Sequence, residues 1–379
     1  MRLGRGYARV GAEAAVRHGP VPPGSNSFRR EGELDQRRRP GGRRDGARRL
    51  LRSAVERYLD PMSQVPAETI RHSSALGRWE MVLGEPAPGL RPHMRSYCGY
   101  EEETVAFSRR RELATAQAVL IVGFGPPIEV SFPRLGESVR ATAFVSGLSD
   151  CYALVDSFGS QRGVQVDLTP LGAFMLFGLP MRELANRAVE LGDVLGPEGA
   201  RLPERLHEAS GWPARFAILD ELFLDRFARA RPASPDVAWA WRRLLEAGGR
   251  LRVGELAEEL RCSRRHLTAR FSEQVGLPPR TLARLLRFGR AARLLGGGPS
   301  SHKRGGAAGA PSSLTEIALE CGYYDQAHLN RDFREFAGLT PTGLEAMLLP
   351  AAGGIADGCS WPETAPQFPS VQDGSASHS

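Results

Sequence analysis

Two segments near the C-terminal end of this 379-residue chain carry nearly the same pattern, and an internal repeat restricts the fold more than composition does. Residues 263–279 and 325–341 share seven identities over 17 positions: His266/His328, Leu267/Leu329, Phe271/Phe333, Glu273/Glu335, Gly276/Gly338, Leu277/Leu339 and Pro279/Pro341. Upstream, Glu255–Leu260 faces Glu316–Cys321 at a shift of 61 in place of 62, so the turn between the two parts gains one residue in the second copy. Each copy then reads as a short helix, a tight turn and a second helix. Ser263 or Asp325 stands at the N-cap, where a side-chain oxygen can accept from free backbone N–H groups. Gly276 or Gly338 closes the second helix. This is the pattern of a helix-turn-helix, whose second helix commonly enters the DNA major groove.

At 100° per residue, the first of these second helices puts Leu267, Phe271 and Val275 on one face and Arg265, Thr268, Ala269 and Ser272 opposite. Arg265 can donate twice to guanine O6 and N7, and Thr268 can bond a base or touch a thymine methyl. The other reading of Arg264, Arg265 and Arg270 is that they are only solvated charges or phosphate contacts. The other helix buries Leu329, Phe333 and Phe336 and exposes Ala327, Asn330, Arg331 and Arg334, with Gln326 at its tip. Gln326 and Asn330 suit adenine N6 and N7, Arg331 suits guanine, and Arg334 suits phosphate. The DNA-binding set is therefore Arg264, Arg265, Thr268, Gln326, Asn330, Arg331 and Arg334. The repeated histidines His266 and His328 are expected to serve helix packing or backbone bonding.

Charge is uneven along the chain. Residues 1–60 hold 15 arginines against 7 acids, residues 61–235 hold 18 basic and 21 acidic side chains, and residues 236–349 hold 17 against 12. The repeat thus lies in a basic segment, as a phosphate-binding surface requires. The one lysine, Lys303, has no Gly-Lys-Ser/Thr context, which excludes a nucleotide-binding P-loop. No G-x-S-x-G, H-E-x-x-H or G-x-G-x-x-G occurs, so no catalytic residue and no cofactor are expected. The five cysteines show no C-x-x-C spacing, and neither a disulfide framework nor a metal site is expected. With no apolar run of membrane length and no apolar block after the Arg-rich start, the expectation is a soluble, cytoplasmic protein with no membrane partner.

Residues 1–62 are rich in Arg, Gly and Pro and have too few clustered apolar positions to offset ordering entropy. They are expected to be a disordered extension, with Met62 a candidate start; the other reading is a basic arm against phosphates. From Trp79 to Thr169, short apolar runs at 79–83, 104–107, 118–122, 128–132, 141–145, 152–155 and 164–168 predict the strands of a small sandwich or barrel. Apolar stripes then predict helices over 171–177, 181–191, 202–209 and 214–230. Pro232-Ala-Ser-Pro235 reads as a hinge, and 236–247 as an amphipathic helix. A long helix over 279–295, with five arginines away from its apolar side, would hold the two repeats apart. Residues 296–313 form a Gly/Ser/Ala-rich insert, and the chain from 351 a frayed tail.

Residues 250–349 resemble the DNA-binding domain of the AraC family of bacterial transcription regulators, most specifically over Leu314 to Pro341, where Gly322-Tyr-Tyr-Asp-Gln-Ala-His328 leads into the second repeat. The 296–313 insert is longer than that family's usual connection. The resemblance implies two helix-turn-helix units joined by a long helix, and for 73–231 a β-rich sensory region with a helical extension. The fold class expected is α+β and multidomain: 1–62 extension, 63–170 β-rich sensory or association domain, 171–232 helical extension, 236–350 DNA-binding domain, 351–379 tail. Double-stranded promoter DNA is the expected partner. A small-molecule effector, a second copy of the chain and, for an activator, RNA polymerase are further partners that the resemblance implies. Two other readings are open at this point: an N-terminal domain that only mediates association, or a metal-dependent enzyme using His72, His93 and Cys98 fused to the DNA-binding module.

Overall fold

The computed structural model describes residues 68–74, 77–296, 313–348 and 370–372. The extension 1–62, the insert 296–313 apart from its ends, and the tail from 351 apart from 370–372 lie outside those residues. The described chain is β-rich to residue 168 and mainly helical afterwards.

The β-rich region comprises β1 (Glu68–Ser74), β2 (Gly77–Gly84), β3 (Met94–Glu112), β4 (Ala118–Gly123), β5 (Ile128–Phe132), β6 (Glu137–Ala141), β7 (Ala143–Ser146) and β8 (Ala153–Leu168). All pairings are antiparallel, in the order β1-β2-β3-β8-β4-β7, with β5 and β6 added beside the first part of β8. The long β3/β8 pair is the spine. Two runs expected as separate strands, 152–155 and 164–168, are one strand, because β3 pairs along the whole of β8. Gly159, at φ +62°, lies where the β3/β8 register shifts. The run 141–145 instead divides between β6 and β7, and β1 lies in a stretch where no strand was expected.

Residues directly opposite across a ladder share a face. One row joins Cys98, Gln165, Ile121 and Phe144, and another joins Arg110, Val155 and Val130. This inner face has a small apolar cluster of Ile121, Val130, Phe132, Phe144 and Val155. The opposite face, with Tyr97, Val166, Leu120 and Val145, belongs to a much larger core that continues through the helices as far as Leu344.

Helices α1 (Pro170–Phe177), α2 (Leu191–Leu195), α3 (Pro197–Glu208) and α4 (Trp212–Arg229) follow. Thr169 caps α1, accepting from Gly172 N at 3.0 Å. On α4, Trp212 and Phe216 lie against Gly99 and Gly84, where an added Cβ would come within 2.3 and 2.5 Å of the rings. The Tyr97 hydroxyl, which burial and Asp220 hold protonated, donates to Asp220 Oδ1 at 2.8 Å. The helix expected over 181–191 does not form. A 3-10 turn at Met181–Glu183 gives way to Asn186 at φ +60° and to β9 (Ala188–Glu190), which pairs with β7. Asn186 Oδ1 accepts from Asp150 N at 2.8 Å and Ser149 Oγ at 3.0 Å, bonds that outweigh the local apolar stripe.

Beyond residue 234 come α5 (Pro235–Glu246), α6 (Val253–Glu259), α7 (Arg264–Val275), α8 (Pro279–Gly296), α9 (Leu314–Glu320), α10 (Gln326–Phe336) and α11 (Pro341–Leu348). Ser370–Gln372 form β10 on the Arg110–Glu112 end of β3.

Candidate nucleic-acid interface

The first unit is α6, a turn and α7. Ser263 Oγ accepts from His266 N at 3.1 Å, while Leu267, Phe271 and Val275 are buried. The turn closes with Cys262 N donating to Ala257 O at 3.0 Å, and it places Arg261 at φ +51°. Arg265 and Ala269 are exposed on the opposite face, with Thr268 and Ser272 half-buried beside them. Arg264 is exposed too, but its guanidinium folds back over Gly254 of α6, where an added Cβ would lie 2.6 Å from Nη2.

The second unit repeats this backbone. Asp325 Oδ1 accepts from His328 N at 2.7 Å, and Tyr323 N donates to Ala318 O at 2.9 Å, matching the Cys262–Ala257 bond. Gly322, at φ +79°, occupies the place of Arg261. The extra turn residue is therefore Tyr324, which projects into solvent with 88% of its surface exposed. Leu329, Phe333 and Phe336 are fully buried. Ala327, Arg331 and Arg334 are exposed, Gln326 and Asn330 half-buried. Thr315 Oγ1 donates to Gln326 Oε1 at 3.4 Å, leaving the Gln326 amide N–H₂ for another acceptor. Both histidines bond the caps through backbone N–H, and the His328 ring adds an edge contact to Tyr323 at 5.1 Å.

The arginines of α8 have a different task from those of the two second helices. Arg284 donates to Asp332 Oδ1 at 2.7 Å and to Glu335 Oε1 at 3.1 Å, gripping α10. Arg287 donates to Gly249 O at 2.7 Å, and Arg290 to Glu320 Oε1 at 2.9 Å. The two carboxylates hold the Arg284 guanidinium charged, and the hydrogen bond from Arg284 holds the Glu335 carboxyl below the usual range. Phe288 meets Phe333 and Phe336 edge-on at 4.9 and 5.4 Å. Asp332 is wholly buried at the place of Arg270 in the first unit. Nothing in the repeat pattern marked it as the partner of α8, because the two are 48 residues apart in sequence. The sequence-selected residues thus divide into two sets, exposed Arg264 and Arg265 with half-buried Thr268 on α7, and exposed Arg331 and Arg334 with half-buried Gln326 and Asn330 on α10, carried on scaffolds joined by α8.

His93 stacks on Phe227 at 4.4 Å and Cys98 is buried in β3. Among the described residues, no group of three or more His, Cys, Asp or Glu side chains could hold a metal, and no helix is long and apolar enough to cross a membrane.

Residues 256–346 match the family model described as a helix-turn-helix domain. No curated protein matches the chain. Among solved structures, the chain is similar to unsaturated fatty acid-bound ToxT from Vibrio cholerae, at 12% identity over 69% of this chain and 97% of that one, with a TM-score of 0.38. The C-terminal domain of AraT, a response regulator from Geobacillus stearothermophilus, matches at 23% identity over 29% and 83%, with a TM-score of 0.24. The DNA-binding domain of AdpA in complex with a target DNA matches at 26% identity over 30% and 92%, with a TM-score of 0.25.

Proposed function

From the helix-turn-helix domain at residues 256–346, we propose that this chain is an AraC-type DNA-binding transcription regulator that reads sequence with both units, α7 and α10 entering successive major grooves of one duplex. The observation that carries the reading is the pairing of two N-capped helices, each burying its apolar stripe and turning a donor-rich face outward. Arg265 and Arg331 each donate a bidentate pair to guanine, Gln326 and Asn330 address adenine, and Thr268 meets a base edge or a thymine methyl. Arg264 and Arg334 hold phosphates and fix register.

The division proposed with it is a β-rich domain to residue 170, a helical extension to 232 and a DNA-binding domain over 236–350. A small-molecule effector is assigned to the β-rich domain, with RNA polymerase and a second copy of the chain as further partners. Support for an effector comes from the inner face of the sheet, where the Glu102–Arg110 pair at 3.2 Å, Gln161, Gln165 and Asp167 are buried beside the apolar cluster. Such a mixed wall suits a small molecule with polar and apolar parts. A compound that binds there raises the melting temperature of the protein.

The DNA assignment is tested by measuring Arg265→Ala and Arg331→Ala on a selected duplex and on random DNA. Each substitution is expected to lower affinity for the selected duplex by about 1–3 kcal/mol while affecting random DNA little. An equal loss on both would make these arginines phosphate contacts only.

A further inference from the structure

The C-terminal end of α10 is occupied by the β-rich region. The last carbonyls of a helix have no partner within it. Here three successive ones are taken from outside: Arg134 Nη1 donates to Glu335 O at 3.1 Å, Ala114 N to Phe336 O at 3.2 Å, and Arg111 Nη1 to Ala337 O at 3.0 Å. The Arg111 guanidinium lies 4.2 Å over the Tyr152 ring, and Tyr152 in turn sits against Gly338. Gly338 has φ +70°, and an added Cβ there would fall 2.5 Å from both Arg111 Nη1 and the Tyr152 ring. Two cations at this end also complement the helix dipole.

The end of α7 is held too, less elaborately. Gly276, at φ +101°, lies against the Met181 carbonyl, and Ser234 N donates to the buried Gln274 Oε1 at 2.8 Å. Neither contact covers a DNA-facing residue: Arg265, Ala269, Arg331 and Arg334 all stay exposed. A contact that leaves the reading faces open can position them without blocking them.

We propose that the β-rich region is part of the DNA-reading apparatus, with Arg111 and Arg134 acting as positioning residues that fix the angle of α10 relative to α7. This rests on the reading that both helices contact one duplex. Strand alternation adds a consequence. Arg110 and Glu112 lie opposite Val155 and Ala153 of the inner apolar cluster, whereas Arg111 between them turns outward to α10. The inner face of the sheet and the cap on the second reader are one residue apart on β3.

The test uses the full chain and the duplex it selects from a random-sequence pool, alongside the same duplex with the α10 half scrambled. Arg111→Ala combined with Arg134→Ala is expected to lower affinity for the intact duplex about tenfold, near 1.4 kcal/mol, and for the scrambled one by no more than about twofold. Arg111→Lys, which keeps a cationic donor, is expected to restore part of the loss. Arg134 is exposed, so Arg134→Ala alone decides the matter should the Arg111 variants not fold, with a loss of about threefold on the intact duplex only. Unchanged affinity, an equal loss on both duplexes, or tighter binding to the intact one would overturn the proposal, the last by making the contact a brake. A wild-type chain that enriches no sequence would instead overturn the DNA reading on which the proposal stands.

Discussion

The two helix-turn-helix units share a backbone and differ in what holds them. In both, a short polar side chain caps the second helix, an apolar face anchors it and a left-handed residue closes the turn. The first unit stands on apolar packing, a capping side chain and the contact of Gly276 with Met181. The second is fastened by charge, through Arg284 to Asp332 and Glu335 on one side and through Arg111 and Arg134 on the other. Most positions that repeat shape the backbone, although Glu335, repeated as Glu273, also ties α10 to α8. The positions that differ include those proposed to read DNA, and Asp332, which stands at the place of Arg270 and pairs with Arg284.

The largest expected effect lies in that charged fastening. Arg284→Ala strands the buried Asp332 carboxylate without its cation and is expected to destabilise the protein by about 3–5 kcal/mol in denaturant unfolding. A loss under about 1 kcal/mol would show that α8 does not hold α10 by this pair. The next concerns the β3 end that supplies the α10 cap. Burial pushes the Glu112 carboxyl up to about 7, so the protonated form is favoured in the folded chain. The stability this contributes is complete below the ordinary value of about 4.5 and is lost as pH rises through about 7. Stability should therefore fall by about 3 kcal/mol across that window, and Glu112→Gln should flatten the fall. An unchanged pH profile in Glu112→Gln would remove Glu112 as its source.

Smaller effects probe the shared backbone. Ser263→Ala and Asp325→Ala are each expected to cost about 1 kcal/mol, because each removes a cap to a backbone N–H. A large inequality between them would show that the units are not equivalent even here. Arg261→Gly is expected to stabilise the first unit by about 0.5–1 kcal/mol, since the second already uses glycine at that left-handed position. Destabilisation on thermal melting would mean that the Arg261 side chain makes up for its strain.

What could be read in the sequence follows the same division. The caps Ser263 and Asp325, the stripes ending at Val275 and Phe336, and the extra turn residue all express local periodicity, and all stand where the sequence placed them. Local pattern failed where a distant partner decides. The 156–163 stretch carries no apolar run and joins the strand only because β3 pairs with it, and 181–191 looks helical until Asn186 bonds Ser149 and Asp150. Arg111 and Ala337 are 226 residues apart, so no periodicity could have joined them. The arginines of α8 looked alike, and only the fold separates Arg284, with its buried acid, from a solvated charge.

The central claim, two unlike readers on one duplex, meets its most direct test in sequencing the duplexes that the full chain selects from a random pool. The account expects two dissimilar half-sites on one face of the DNA, with centres about one helical turn, near 34 Å, apart. Arg265→Ala should relax one half-site and Arg331→Ala the other. A single enriched half-site, two identical ones, or relaxation of the same bases by both substitutions would contradict it.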